Sequence, residues 1–148
     1  MQLNTDNCEE IMTNIEFIKL HSPAEFPCFS DLPIDSQQAI RVYCEEGFEL
    51  EEEFLKHISN YSFLVAEIPT DICTEAVMNR DGGELHGDFY EYNGPAETWI
   101  NAVDHGNSRW PCILSNFDDE LLQDGWHRFY GYIKAGHSTI KVLAFIQR

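Results

Sequence analysis

Positive charge is what this sequence has least of. Its 148 residues hold 9 Lys and Arg against 26 Asp and Glu, a formal net charge of −17. A surface that grips nucleic acid neutralises phosphates with clustered cations, so this balance argues against direct DNA binding. Long apolar runs are lacking too. No stretch approaches the roughly 20 residues needed to cross a bilayer, and nothing points to a membrane. Met1 to Glu10 is polar and acidic, without the basic and apolar regions of a secretory signal. The five cysteines (Cys8, Cys28, Cys44, Cys73 and Cys112) are odd in number and contain no Cys-x-x-Cys pair. That argues against a disulfide framework and a zinc knuckle, and suits free thiols in a reducing, cytoplasmic compartment. Internal repeats, low-complexity tracts and coiled-coil heptads are absent as well.

What is present is enough apolar material for a core. Hydrophobic residues make up 43% and aromatics 13% of the chain, sufficient for one packed domain. The charge is uneven. Residues 1–105 carry 4 Lys/Arg and 22 Asp/Glu, a net −18, whereas residues 106–148 carry 5 and 4, a net +1. A phosphate-bearing ligand meets the least repulsion in that last third.

Periodicity and turn residues lay out the elements. Ile15 to Leu20 reads as a strand, and residues 21–33, with three prolines, as an irregular connection. Two helices follow. Ser36 caps the first, Ile40, Tyr43 and Cys44 form its buried face, and Gly47 stops it. Leu50, Phe54, Leu55 and Ile58 form the face of the second, with Lys56 and His57 late, as the helix dipole prefers. Ser62 to Ile68 is a strand ended by Pro69. Residues 71–79 suit a helix with Ile72, Ala76 and Met78 inward. Residues 80–95 carry turn signals at both ends, and Phe89 to Tyr92 fits either a strand or a loop. Pro95 then opens a helix with Trp99 and Ile100 inward.

Two polar groupings in this first part bear on function. Glu45, Glu46, Glu49, Glu51, Glu52 and Glu53 are the densest charge in the chain. They fit a solvated helix face, or a surface that docks on a basic partner or imitates the phosphate line of a nucleic acid. Asp81, Glu84, His86 and Asp88 carry donors that a divalent ion beside a triphosphate would use. Their spacing matches no metal motif and fits a polar loop, so no metal site is assigned.

The chain is organised around Leu121 to Phe145. Trp126, Phe129, Tyr130 and Ile133 recur at i, i+3, i+4 and i+7, one apolar helical face. Gly136 stands where a left-handed C-terminal cap would sit. Ile140 to Leu143 is a β-branched return to a sheet. At the helix start, Asp124 can cap, Gly125 permits a close approach, and the free N–H groups favour an anion. His127 and Arg128 lie in the first turn, where Arg can hold phosphate oxygens bidentately. The alternative is a plain core helix whose donors Asp124 itself occupies. Cys112 and His127 admit a similar choice, between a nucleophile pair and a buried strand cysteine.

DGWHRFYGYIKAG, preceded by WPCILSN and followed by TIKVL, resembles the nucleotide-binding segment of the ParB/sulfiredoxin-like superfamily (the ParB-like nuclease/nucleotide-binding domain). That pattern is a Pro-led strand, a hairpin, Gly-x-His/Arg-Arg opening a helix, Gly, then an Ile-x-Val strand. Here it falls on Pro111 to Leu114, Gly125, His127, Arg128, Gly136, and Ile140 with Val142. Ile68-Pro69 matches the domain's usual beginning, so the likeness covers residues 61–148 and is most specific in the last third. It implies phosphate or nucleotide binding at Asp124, Gly125, His127 and Arg128. It also implies a nucleoside triphosphate with magnesium as cofactor, and phosphohydrolase or nuclease activity as the chemistry to look for. Trp126 stands where sulfiredoxins carry their catalytic cysteine, which removes the sulfinic-acid reductase reading. Of the Arg-rich turn of CTP-hydrolysing ParB proteins only Arg128 remains, with His127 and Tyr130 in the neighbouring basic positions. No catalytic residue is assigned; Asp124, His127 and Asp104 are candidate bases by chemistry alone.

The expected fold is α+β. A small mixed sheet takes strands near 62–68, 110–115, 120–123 and 140–146, with the Trp126–Ala135 helix packed on it. Residues 1–60 form an acidic, mostly helical extension docked on the same core, and residues 61–148 the ParB/sulfiredoxin-like part. A second function fits the composition: a non-catalytic acidic protein that binds a basic, nucleic-acid-binding partner. Such nucleic-acid mimics and inhibitors come from mobile genetic elements, and the ParB-like family is frequent on plasmids and phages.

Overall fold

Two long strands pair along their whole length and set the frame for everything else. They are β2 (Tyr61–Pro69) and β5 (Thr139–Gln147), antiparallel from Tyr61 opposite Gln147 to Pro69 opposite Thr139. Both alternate side chains between two covered faces, and so are apolar nearly throughout. The computed structural model describes residues 12–21, 24–45, 47, 50–81, 109–116 and 120–148. Within them the sheet has five strands in the order β1-β2-β5-β3-β4, where β1 is Glu25–Phe26, β3 is Cys112–Leu114 and β4 is Leu122–Asp124. β3 runs parallel to β5, and β4 returns antiparallel beside β3. The fold is α+β with a small mixed sheet.

Helices cover both faces. On one side, Leu64, Ala66, Ile68, Cys112, Leu114, Ile140, Val142 and Ala144 form a continuous core with residues from three helices. These are α1 (Asn14–Lys19), α4 (Thr70–Asp81) and α5 (Trp126–Lys134). On the other side, Phe63, Ile113, Leu143 and Phe145 pack with α2 (Ile34–Glu45) and α3 (Glu51–Ile58) through Ile40, Cys44, Phe54 and Ile58. Residues before 61 thus supply an edge strand, the helical layer of α2 and α3, and α1 on the opposite face. An ion pair from Lys141 Nζ to Asp35 Oδ2 at 3.0 Å, both side chains about 15% exposed, ties α2 to the central strand.

Four local expectations are corrected. Residues 14–19 are a helix, not a strand, because Thr13 and Glu16 form a reciprocal capping box. The Thr13 hydroxyl accepts from the Glu16 N–H (3.1 Å), and the Thr13 N–H donates to Glu16 Oε1 (3.0 Å). That local bonding overrides the β-propensity of the isoleucines. Ser36 is buried inside α2 and does not cap it, because the helix already starts at Ile34, directly after Pro33. In α3, Phe54 and Ile58 define the buried face at i, i+4, which leaves Leu50 56% and Leu55 49% exposed. In α4 the same spacing places Cys73 and Val77 inward with Ala76 beside them, and turns Ile72 and Met78 outward. The expected strand or loop at Phe89–Tyr92 and the Pro95 helix lie outside the described residues.

Candidate functional site

The first two turns of α5 lie against the segment that leads into β3, and consecutive residues of that segment are each tied to the helix or its turn. The Tyr132 hydroxyl donates to the Trp110 carbonyl (2.8 Å). Arg128 Nη1 donates to the Pro111 carbonyl (3.2 Å), and the Cys112 thiol donates to the Gly125 carbonyl (3.5 Å). Tyr132 and Cys112 are fully buried. Burial raises the Tyr132 phenol and the Cys112 thiol above their ordinary pKa values, so both stay protonated and serve as donors.

Gly125 makes this fit possible. It is the N-cap of α5, with φ +93°, and a Cβ there would lie 3.1 Å from the Cys112 Cα and 3.3 Å from Arg128 Nη1. The residue is glycine both for its left-handed backbone and for the close approach to β3. Asp124 does not cap the helix as expected. It is held as the last residue of β4, opposite Ile113, and the N-cap makes no side-chain hydrogen bond. Its carboxylate instead faces Arg128, with Oδ2 4.0 Å from Nη1, too far for a hydrogen bond.

Arg128 is the unusual residue of the turn. Only 8% of it is exposed, and its guanidinium carbon stands 5.2 Å from the centre of the Trp110 ring. Among the described residues its one hydrogen bond is the donation to Pro111. A guanidinium has five donors, and none of those on Arg128 is both fully buried and without a partner. Here it has a ring face, one carbonyl and a long ion pair. The turn therefore joins a fixed cation to the partial positive charge of a helix N-terminus. Trp126, half-buried, is near-parallel to Tyr130 (28°, 6.3 Å between centres) and edge-on to Phe129 (80°, 5.9 Å). Ile133 packs at the core margin and Gly136 takes the expected left-handed conformation, φ +76°. The His127 side chain and Asp104 lie outside the described residues, as do Glu84, His86 and Asp88.

The Cys112 nucleophile reading is corrected. A fully buried thiol that is pushed toward its protonated form and donates to a backbone carbonyl is not an attacking thiolate. Among the described residues no group of three His, Cys, Asp or Glu side chains could hold a metal ion.

The acidic stretch sits elsewhere. Glu45 ends α2 and Glu51, Glu52 and Glu53 fill the first turn of α3, all four exposed; Glu46 and Glu49 fall outside the described residues. Glu52 and Glu53, with Lys56, His57 and Asn60, line an open recess of about 650 Å³. This face is on the helical layer opposite the one that holds α5.

Sequence reasoning missed Arg109 and Trp110. Arg109 Nη1 donates to Glu67 Oε1 (2.8 Å) and Nη2 to the Thr139 carbonyl (2.8 Å), with its guanidinium 5.0 Å from the centre of the Tyr132 ring. The only signal at hand was their position directly before Pro111. Comparison of the chain with protein-family models, with curated proteins and with solved structures finds no match in any of the three.

Proposed function

We propose that this chain is a ParB/sulfiredoxin-like domain that binds a phosphate group, as part of a nucleotide, at the turn from Asp124 to Arg128. The observation that carries this reading is the Arg128 guanidinium. It is nearly buried, hydrogen-bonded once among the described residues, and held beside a glycine-opened helix start. Helix N-termini attract anions through their N–H groups, and a planar guanidinium adds paired donors for phosphate oxygens. The order of elements supports the resemblance: a strand ending Ile68-Pro69, a Pro111-led strand, a hairpin, the Gly125-opened helix, Gly136, then the Ile140-x-Val142 strand.

A nucleoside triphosphate would be held by the α5 backbone amides and Arg128, with magnesium arriving on its phosphates. Asp124 then acts as a gate of charge: its distant carboxylate offsets Arg128 until a stronger anion takes its place. The reading is one of binding; a hydrolytic step would need a base, and Asp124 is the one candidate among the described residues.

The test is a thermal shift with ATP, CTP and inorganic tripolyphosphate. A ligand at one hundred times its Kd adds about 2.7 kcal/mol, which raises Tm by about 5–10 °C for a chain of this size. Arg128→Ala would lose packing on Trp110 as well as charge. The informative variant is Arg128→Lys, which keeps the charge and loses the fork. Abolition of the shift in Arg128→Lys supports the site. No shift with any of the three ligands rejects it.

A second reading, a non-catalytic inhibitor or nucleic-acid mimic that docks on a basic protein, is favoured by one observation. Leu50 and Leu55 are exposed at the same short helix whose first turn holds the exposed Glu51, Glu52 and Glu53, so apolar and anionic groups lie close together on α3. Capture of a basic nucleic-acid-binding protein by wild type, lost at high salt and in a Glu51/Glu52/Glu53→Gln variant, would establish it.

A further inference from the structure

We infer that Glu67 and Arg109 are positioning residues for this phosphate site, acting on Arg128 through the backbone of Trp110 and Pro111. The inference rests on the phosphate reading above, since it concerns how that site is held. Glu67 Oε1 accepts from Thr139 Oγ1 (2.6 Å) as well as from Arg109 Nη1. Arg109 is thus fixed at both ends of its fork, to a carboxylate on β2 and a carbonyl on β5, with Tyr132 against its face. Nη2 also lies 3.4 Å from Thr139 Oγ1, and Nε is buried without a hydrogen-bond partner among the described residues.

What Arg109 anchors is the start of the seam. The next residue, Trp110, supplies the ring beside Arg128 and the carbonyl that receives the Tyr132 hydroxyl. The one after, Pro111, supplies the carbonyl that receives Arg128 Nη1. Both short-range holds on the Arg128 guanidinium therefore come from the two residues that follow Arg109. An arginine side chain is long and flexible, so its aim is set by such contacts. A displacement of this segment by about an ångström would stretch a 3.2 Å hydrogen bond beyond its working range. Glu67 and Arg109 need not touch the ligand to matter to it.

The experiment is calorimetric titration of inorganic tripolyphosphate into wild type, Glu67→Ala, Glu67→Gln and Arg109→Lys, below the onset of unfolding of each. Glu67→Ala and Arg109→Lys should weaken binding about tenfold, the low end of what loss of an orienting partner costs at a metal site. Glu67→Gln keeps an oxygen acceptor and should stay within about threefold of wild type. In the ligand-free protein the Arg128 Nε–H resonance should be sharp in wild type and Glu67→Gln, and broadened in the other two. Wild-type binding with all variants equal overturns the inference and leaves the phosphate reading standing. Affinity lost in all three variants in proportion to their loss of Tm overturns it too, since that is a general stability role. Failure of wild type to bind overturns both.

Discussion

Gly125 and Gly136 share a positive φ but not a neighbourhood, and substituting each by alanine separates two costs. At Gly136 (φ +76°) nothing lies within 4 Å of an added Cβ, so Gly136→Ala meets only the backbone cost. That is about 1–2 kcal/mol for an L-residue in the left-handed region, offset by about 0.4–1 kcal/mol from the stiffer unfolded chain. The net expectation is about 1 kcal/mol or less. At Gly125 (φ +93°) the same conformational cost applies, and the Cβ would also sit 3.1 Å from the Cys112 Cα and 3.4 Å from its Cβ. Backbone cannot swing aside as a side-chain end can. Overpacking of about 1–3 kcal/mol is added, for a total of about 1–4 kcal/mol. Urea unfolding followed by far-UV circular dichroism measures both, provided the slope with denaturant is unchanged. Equal destabilisation of the two variants would refute the close approach of the α5 start to β3.

Three other expectations follow from the same contacts. Asp35→Ala strands Lys141 in a mostly buried position and should destabilise by about 3 kcal/mol, whereas Asp35→Leu with Lys141→Met should recover most of it; a double-mutant cycle by chemical unfolding decides. The Thr139 hydroxyl, and after it Arg109, hold the Glu67 carboxyl below the usual carboxylate range. Its contribution is therefore present at neutral pH and lost as pH falls below about 4.5 through the lowered folded value. A Glu67→Gln protein should accordingly show a flatter acid limb of stability against pH. In a Cys8→Ser background, a thiol reagent at pH 8 should modify Cys28 in the native protein. It should spare Cys73, which is buried, Cys44, whose pKa burial pushes up to about 11, and Cys112, shifted the same way; mass spectrometry of native against unfolded protein reads this directly.

The elements that could be read from the sequence are those whose signal is local. The β-branched run from Ile140 marked β5, the i, i+3, i+4, i+7 stripe marked α5, and Gly136 marked its end. Pro69 closed β2 where expected. The two-residue β1 was not legible, because Glu25 and Phe26 carry no pattern and are strand only by pairing with Phe63 and Leu64. Residues 14–19 have the apolar composition of a strand, but Thr13-x-x-Glu16 is a capping signature whose two hydrogen bonds start a helix. Leu50, Phe54, Leu55 and Ile58 suggest one apolar face, but α3 has 8 residues and buries only Phe54 and Ile58, with Leu50 at its N-cap.

The candidate site was legible in half. Gly125 and Arg128 were named from turn chemistry, and both lie at the start of α5. That Arg128 is buried against Trp110 and Pro111 depends on contacts 17 and more residues apart, which no local pattern carries. The Glu67 to Arg109 bond spans 42 residues and had no sequence signal. Asp124 was expected to cap because its type and position suit that role. The strand pairing of β4 took it instead.

Titration of inorganic tripolyphosphate into ¹⁵N-labelled protein tests the central claim most directly. The phosphate reading predicts saturable shifts concentrated in the backbone amides from Gly125 to Phe129 and in the Arg128 Nε–H, both absent in Arg128→Lys. Shifts centred on Lys56 and His57, or no shift at millimolar ligand, would contradict it.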